Sequence, residues 1–293
     1  MPRIDAPVVK SRDAPSWARL SAVWPDARTS EFWRVQNFVW HVQRQSPEQG
    51  LQQGRRQAPK VLFIHGTGAS THSYTPLIGL MRSSFETISI DLPGHGFTQA
   101  PRGFRPSLPN VSAAIGRLCQ EMEIAPDIVI GHSAGAAIAI KLAAWGQITP
   151  RLLVSINGAL RPFEGMMKHI APTTAKLAML GGVAARMVSR NSASEDKVRG
   201  LVRNIGSDPD LIDTKSYSAL LGTSVHVQGA LKMMANWDLI GVMEACRDLN
   251  MPALFIAGGQ DKAVSPYVSR EAAGLAPNGS YIEFNKLGHL AHE

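Results

Sequence analysis

From Glu31 the chain alternates. Phe38, Trp40 and Val42 share one side of a run whose other side carries Val39 and His41, and Gln36-Asn37 supplies a turn, so residues 31–45 read as a β-hairpin. Residues 46–57, rich in Gly and Gln with one Pro, read as a loop. The pattern then changes to short apolar runs: Val61 to Ile64, Thr87 to Ile90, Ile128 to Ile130, Leu152 to Ile156, Ala253 to Ile256 and Tyr281 to Phe284. Such runs suit strands of a parallel sheet covered on both faces. Between them lie stretches with helical spacing, as in Val111, Ile115, Leu118 and Met122. Strands alternating with helices predict an α/β fold, a mostly parallel central sheet with helices on both faces. The alternation breaks between Leu160 and Met251, where about ninety residues intervene. A connection of that length needs structure of its own. Helical patches at Lys176–Met187 and Val225–Met234 make residues 160–249 an inserted helical lid, dividing the core into 30–159 and 250–293. Residues 1–29 read as a loosely structured N-terminal arm.

With 293 residues, 44% apolar and 18% charged, the chain can bury a sizeable core, and fibrous, coiled-coil and wholly disordered classes are excluded. Cys119 and Cys246 are too few and too far apart for a disulfide framework or a zinc site, which fits a reducing, cytoplasmic setting. The first residues lack the apolar stretch of a signal peptide, and the longest apolar run, Ala134 to Trp145, is too short to span a bilayer. The net charge of +7 is concentrated: eight Lys/Arg face three Asp/Glu between Arg161 and Arg203. That excess suits a carboxylate-bearing ligand or peripheral contact with an anionic membrane. No helix-turn-helix, zinc-finger or aromatic RNA-binding pattern accompanies it, so nucleic acid is set aside. Seven of the eleven Met lie between Met166 and Met243. They either mould the lid to a large apolar ligand or fill the lid's own core.

Gly131-His132-Ser133-Ala134-Gly135 sits between an apolar strand and the helical run Ala136 to Leu142. Strand, sharp turn and helix in that order form a nucleophile elbow, which presents Ser133 at the end of the sheet. A serine hydroxyl is a weak nucleophile at neutral pH and needs a base, oriented in turn by a carboxylate. Asp261 follows the run Ala253 to Ile256, and His289 follows the last strand, giving the order serine, acid, histidine. After the strand Leu152 to Ile156 stands Asn157 and no carboxylate, so Asp261 has no rival there. His65-Gly66-Thr67-Gly68, directly after Val61 to Ile64, is a glycine-rich turn whose Thr67 N–H would join that of Ala134 as an oxyanion hole, with His65 supporting the loop. No Lys-Ser/Thr pair follows these glycines, which argues against a phosphate loop. The expected chemistry requires no metal or organic cofactor. His132, Met233 and Trp237 are the candidates for substrate contact.

Asp91-Leu92-Pro93-Gly94-His95-Gly96, taken with the elbow, Asp261 and Gly288-His289, resembles the α/β-hydrolase fold family from about Glu31 to Glu293. Serine at the elbow, where haloalkane dehalogenases and epoxide hydrolases carry aspartate, implies hydrolysis of an ester-type substrate through an acyl-enzyme. Further segments carry a closer resemblance: Trp40-His41-Val42-Gln43, Phe97-Thr98, Pro162-Phe163, the stretch from His226 to Leu239, and Gly288-His289-Leu290-Ala291-His292-Glu293. Together they resemble the magnesium-chelatase accessory proteins of bacteriochlorophyll biosynthesis. This resemblance implies a photosynthetic bacterium, a role around magnesium insertion into protoporphyrin, and chelatase subunits as partners, without implying a particular reaction. Three readings stay open: a serine hydrolase in that setting, a non-catalytic porphyrin- or chelatase-binding factor with an idle triad, and a carboxylesterase with no pigment role. Hydrolases of this kind usually continue past the histidine into a last helix, and the four residues after His289 lead to the expectation that this helix is missing.

Overall fold

The computed structural model describes residues 3–9, 11–47, 58–162 and 181–293. Its strands are β1 (Arg3–Ile4), β2 (Ser30–Val35), β3 (Phe38–Gln45), β4 (Lys60–Ile64), β5 (Glu86–Ile90), β6 (Ile128–His132), β7 (Leu152–Ile156), β8 (Ala253–Gly258) and β9 (Gly279–Phe284). Each apolar run named above lies on one of them. The hairpin is β2–β3, with Gln36 in the left-handed conformation at φ 52°. Among the described residues all nine strands form one sheet in the order β1-β2-β3-β5-β4-β6-β7-β8-β9. Pairing is antiparallel from β1 through β3 to β5 and parallel from β5 to β9.

Alternate residues of the central strands serve opposite faces. Leu62 and Ile64 join the larger core, which also takes Ile115 and Leu118 from α3 (Leu108–Glu121), Ile140 from α4 (Ala134–Ala144) and Ala272 from the helix between β8 and β9. Val61 and Phe63 join the smaller core on the other face, against Tyr74 and against Ile78 of the following α2 (Thr75–Met81). The fold is therefore the expected layered α/β arrangement, with helices on both faces of a mostly parallel sheet.

The N-terminal segment is not loose. Arg3 and Ile4 pair with Trp33 and Phe32, and α1 (Trp17–Leu20) leads to Trp24, which is 4% exposed. Trp24 packs with Phe32, Val39, Phe97 and Leu220, and Trp17 meets Phe97 at a ring separation of 5.0 Å. Buried Trp24 and partly buried Trp17 anchor a stretch whose Pro, Asp and basic residues look solvated in the sequence.

The insertion holds α5 (Gly181–Ser192), α6 (Glu195–Asn204), α7 (Thr214–Leu221) and α8 (Ser224–Asn236), followed by α9 (Val242–Ala245). The helical patch expected from Lys176 starts outside the described residues, as do Met166, Met167 and Met179, and most of the loop expected at 46–57. Leu239, Val242, Met243 and Leu249, within the expected insertion, pack in the larger core. The helix between β8 and β9 is α10 (Pro266–Leu275). No helix among the described residues is long and apolar enough to cross a membrane.

Candidate active site

Ser133 closes β6 and caps α4 with φ 52° and ψ −116°, a conformation that L residues adopt only under constraint. The constraint is visible on both sides: Ser133 N–H donates to Ile156 O at 3.0 Å, and Ala159 N–H donates to Ser133 O at 3.1 Å. Gly135 allows the helix to approach β4 this closely, since a β-carbon there would stand 2.0 Å from the Ile64 carbonyl oxygen.

Asp261, at the end of β8, receives four hydrogen bonds. Ala263 and Val264 N–H donate to Oδ1 at 2.7 and 2.9 Å. Oδ2 accepts from Asn157 Nδ2 at 2.6 Å and from His289 Nδ1 at 2.8 Å. Because the carboxylate accepts, Nδ1 carries the imidazole proton and Nε2 keeps its lone pair. Among the described residues the Ser133 hydroxyl makes no hydrogen bond. Such contacts are often long in resting enzymes and tighten with substrate.

Asn157 was visible in the sequence only as a missing carboxylate. In the structure it sits at φ 46° at the end of β7, donates to Asp261 and to Gly288 O at 3.1 Å, and accepts from Gly258 N–H at 3.1 Å. One amide thus ties together the loops that carry the acid and the histidine. The signal that could have found it was its position directly after an apolar strand, where this fold projects side chains toward the site.

Ser133, Thr67, Ala134, Asp261 and His289 line one cavity of about 510 Å³. Neither the Thr67 nor the Ala134 N–H has a partner among the described residues; at the first turn of α4 none is available within the helix. The remaining wall is mostly apolar, from Leu160 and Val268 in the core to Ile205, Met234 and Trp237 in the helical segment between β7 and β8. Lys262 lies on it too, as does Arg161, which pairs with Glu271.

Of the three residues expected at substrate, only Trp237 lines this cavity. His132 is buried, and its Nε2–H donates to the His289 carbonyl oxygen at 2.9 Å, so it holds the backbone of that loop. Burial and the neighbouring His292 and His289 push its pKa well below the usual imidazole range. Met233 is fully buried in the larger core, and Met234 takes the place expected for it. One residue along a helix rotates the side chain by about 100°, enough to exchange core for cavity. His65 supports the loop as expected: Nδ1–H donates to Gly66 O at 2.7 Å, and Nε2 accepts from Leu92 N–H at 2.9 Å.

Beneath that loop lies buried Asp91. It accepts from His41 Nδ1 at 2.8 Å, Ser70 Oγ at 2.5 Å, and the N–H groups of Thr71 and Phe97, each at 2.8 Å. Burial alone would raise its pKa, but His41 and these donors outweigh it and hold the carboxyl well below the usual range.

A strained serine between strand and helix, an acid after β8 and a histidine after β9 are the arrangement of the alpha/beta hydrolase fold. The sequence model of that family matches residues 59–293, and the chain belongs to it. Among characterised sequences it is similar to the protein named magnesium-chelatase 30 kDa subunit of Rhodobacter capsulatus, 35% identical over 274 residues, covering 94% of this chain and 93% of that protein. It is 26% identical over 244 residues to a pimeloyl-[acyl-carrier protein] methyl ester esterase of Stenotrophomonas maltophilia, covering 79% and 86%. Among solved structures, the enol-lactonase from Burkholderia xenovorans LB400 superposes with a TM-score of 0.70 at 18% identity, covering 88% of this chain and 92% of that one. This last likeness concerns the fold.

Proposed function

We propose that the protein is a serine hydrolase acting on an ester-type bond. The observation that carries this reading is the Asp261–His289 hydrogen bond at 2.8 Å on the wall of the cavity that also holds Ser133. His289 Nε2 takes the Ser133 proton as Oγ attacks the carbonyl carbon, and the Thr67 and Ala134 N–H groups receive the developing oxyanion. The protonated imidazole then gives its proton to the leaving alcohol, and water releases the acid by the same steps in reverse. Mostly apolar walls with Lys262 among them suit a bulky apolar acyl or alcohol group bearing a carboxylate. The name of the Rhodobacter capsulatus relative supports a setting around magnesium insertion into protoporphyrin, with chelatase subunits as partners.

The test is labelling by a fluorophosphonate, with the adduct located by mass spectrometry and Ser133→Ala as control. Stoichiometric labelling at Ser133, absent from the variant, is expected. A folded wild-type protein that stays unlabelled yet binds protoporphyrin would sink the catalytic reading and leave a binding factor with an idle triad.

A further inference from the structure

Ala69, in the loop that bears Thr67, packs with Val198, Val202, Ile212 and Tyr217 of the insertion, and among the described residues one side chain of the inserted helices hydrogen-bonds to the loop. His226 of α8 is fully buried between two backbone groups on separate loops. Its Nδ1 lies 3.0 Å from Gly96 N, and its Nε2 lies 3.1 Å from the Gly68 carbonyl oxygen. The Gly96 N–H can only donate and the carbonyl can only accept, so the tautomer is fixed, with the lone pair on Nδ1 and the proton on Nε2. Burial pushes the pKa of this imidazole down to about 4, which keeps it neutral and able to make both bonds at ordinary pH. One turn further along α8, Gly229 lies against Gly94, where a β-carbon would stand 2.0 Å from the Gly94 carbonyl oxygen. Helix and turn are therefore in backbone contact, and His226 is aimed by that contact.

Gly68 directly follows Thr67, and it takes φ 83°. On the far side of the same loop, Ser70 and Thr71 are tied to Asp91. His65 holds the loop at Gly66, and Ala69 packs against the insertion. Asp91 and His65 belong to the core, whereas the hydrogen bond at Gly68, the residue after Thr67, comes from α8.

We infer that His226 is a positioning residue through which docking of the lid completes the oxyanion hole. Its Nε2–H holds the Gly68 carbonyl, and with it the backbone of Thr67, while its Nδ1 anchors the imidazole to the Gly94–Phe97 turn on which α8 sits. Displacing α8 removes both bonds and leaves the Gly68 carbonyl without its donor, while the ties at Gly66, Ser70 and Thr71 remain. The catalytic consequence rests on the hydrolase reading above; the clamp itself does not.

Two substitutions separate the bonds. In His226→Asn the amide ends near the Nδ1 position, and its oxygen can still accept from Gly96 N–H, but nothing reaches Gly68. In His226→Gln the amide ends near the Nε2 position, and its NH₂ can still donate to the Gly68 carbonyl. With p-nitrophenyl butyrate as substrate, Asn is expected to lower kcat by at least about tenfold with KM little changed, since a lost oxyanion donor costs about 100-fold or more; Gln is expected to restore most of that loss. Amide hydrogen exchange across residues 66–71 is expected to accelerate in Asn and not in Gln. Gly229→Ala, which lifts α8 and leaves the imidazole intact, is expected to reproduce both effects and covers the case in which Asn fails to fold. Equal losses in Asn and Gln that track a fall in melting temperature would overturn the proposal, as would unchanged exchange in both Asn and Gly229→Ala. If the wild type neither turns over ester nor takes up phosphonate, the hydrolase reading fails, and the exchange data alone decide whether the clamp exists.

Discussion

Asn157 makes three hydrogen bonds with one amide, and the Asp261 carboxylate loses one of its four donors without it. Asn157→Leu is close in size but has nothing to donate to Asp261 or Gly288. The expected result is a fall in kcat of about tenfold or more with a smaller change in KM, because the orientation of His289 suffers and the cavity does not. Steady-state kinetics on a soluble ester decides it; an unchanged kcat would show that the two backbone donors hold Asp261 unaided. At this scale Ser133, Asp261 and His289 were legible because each stands in a polar or glycine-rich turn just after an apolar run. Asn157 stood in an equally telling place and was read only for the carboxylate it lacks. His132 and Met233 were misplaced for another reason. Sequence proximity to the elbow, or to Trp237, does not say which way a side chain leaves the backbone, and the fold turns His132 toward the His289 carbonyl and Met233 into the core.

Among the elements, the strands were legible and the N-terminal segment was not. Fully apolar runs announce buried parallel strands whatever their neighbours, and even the turn of the β2–β3 hairpin falls at Gln36-Asn37. The segment before it has no period. Its order comes from two tryptophans that meet Phe32, Val39, Phe97 and Leu220, partners supplied by the hairpin, the Gly94–Phe97 turn and α7. No local pattern encodes contacts of that range. Trp24→Ala is expected to destabilise the protein by about 3 kcal/mol or more, as truncation of a buried aromatic does, whereas Val8→Ala, at a side chain 86% exposed, is expected to change little. Urea denaturation of the two variants checks the contrast. Equal and negligible effects would mean that the segment adds no stability.

For the whole molecule the notable charge is one the fold suppresses. His65, His72, His95, His132, His226 and His292 are all buried, and burial lowers the pKa of each, to about 4 for His72 and His226 and about 3 for His292. Unfolded, each would titrate near 6.5. The unfolded chain therefore binds more protons than the folded one between about 6.5 and 4, and stability must fall as pH falls through that window. Each histidine adds a slope of up to about 1.4 kcal/mol per pH unit there. Burial pushes the Glu293 carboxyl up to about 8, so its protonation in the fold adds stability as pH falls toward 4.5 and offsets about one histidine's share. Melting temperature is expected to drop steeply from pH 6.5 to 5, and His292→Gln is expected to make the drop shallower. A melting temperature that stays flat to pH 5 would contradict this.

The sheet order also sets a sequence of events in time. Ser133 is placed when β4, β6 and β7 pair, since its N–H bonds to Ile156 and its helix lies against Ile64. Asp261 and His289 come with β8 and β9, which add in succession to the same edge. During synthesis, where earlier segments fold first, the proposed nucleophile is therefore built into a chain that still lacks its proposed base. On the hydrolase reading proposed above, incomplete chains are expected to be inert toward esters until the last two strands have docked.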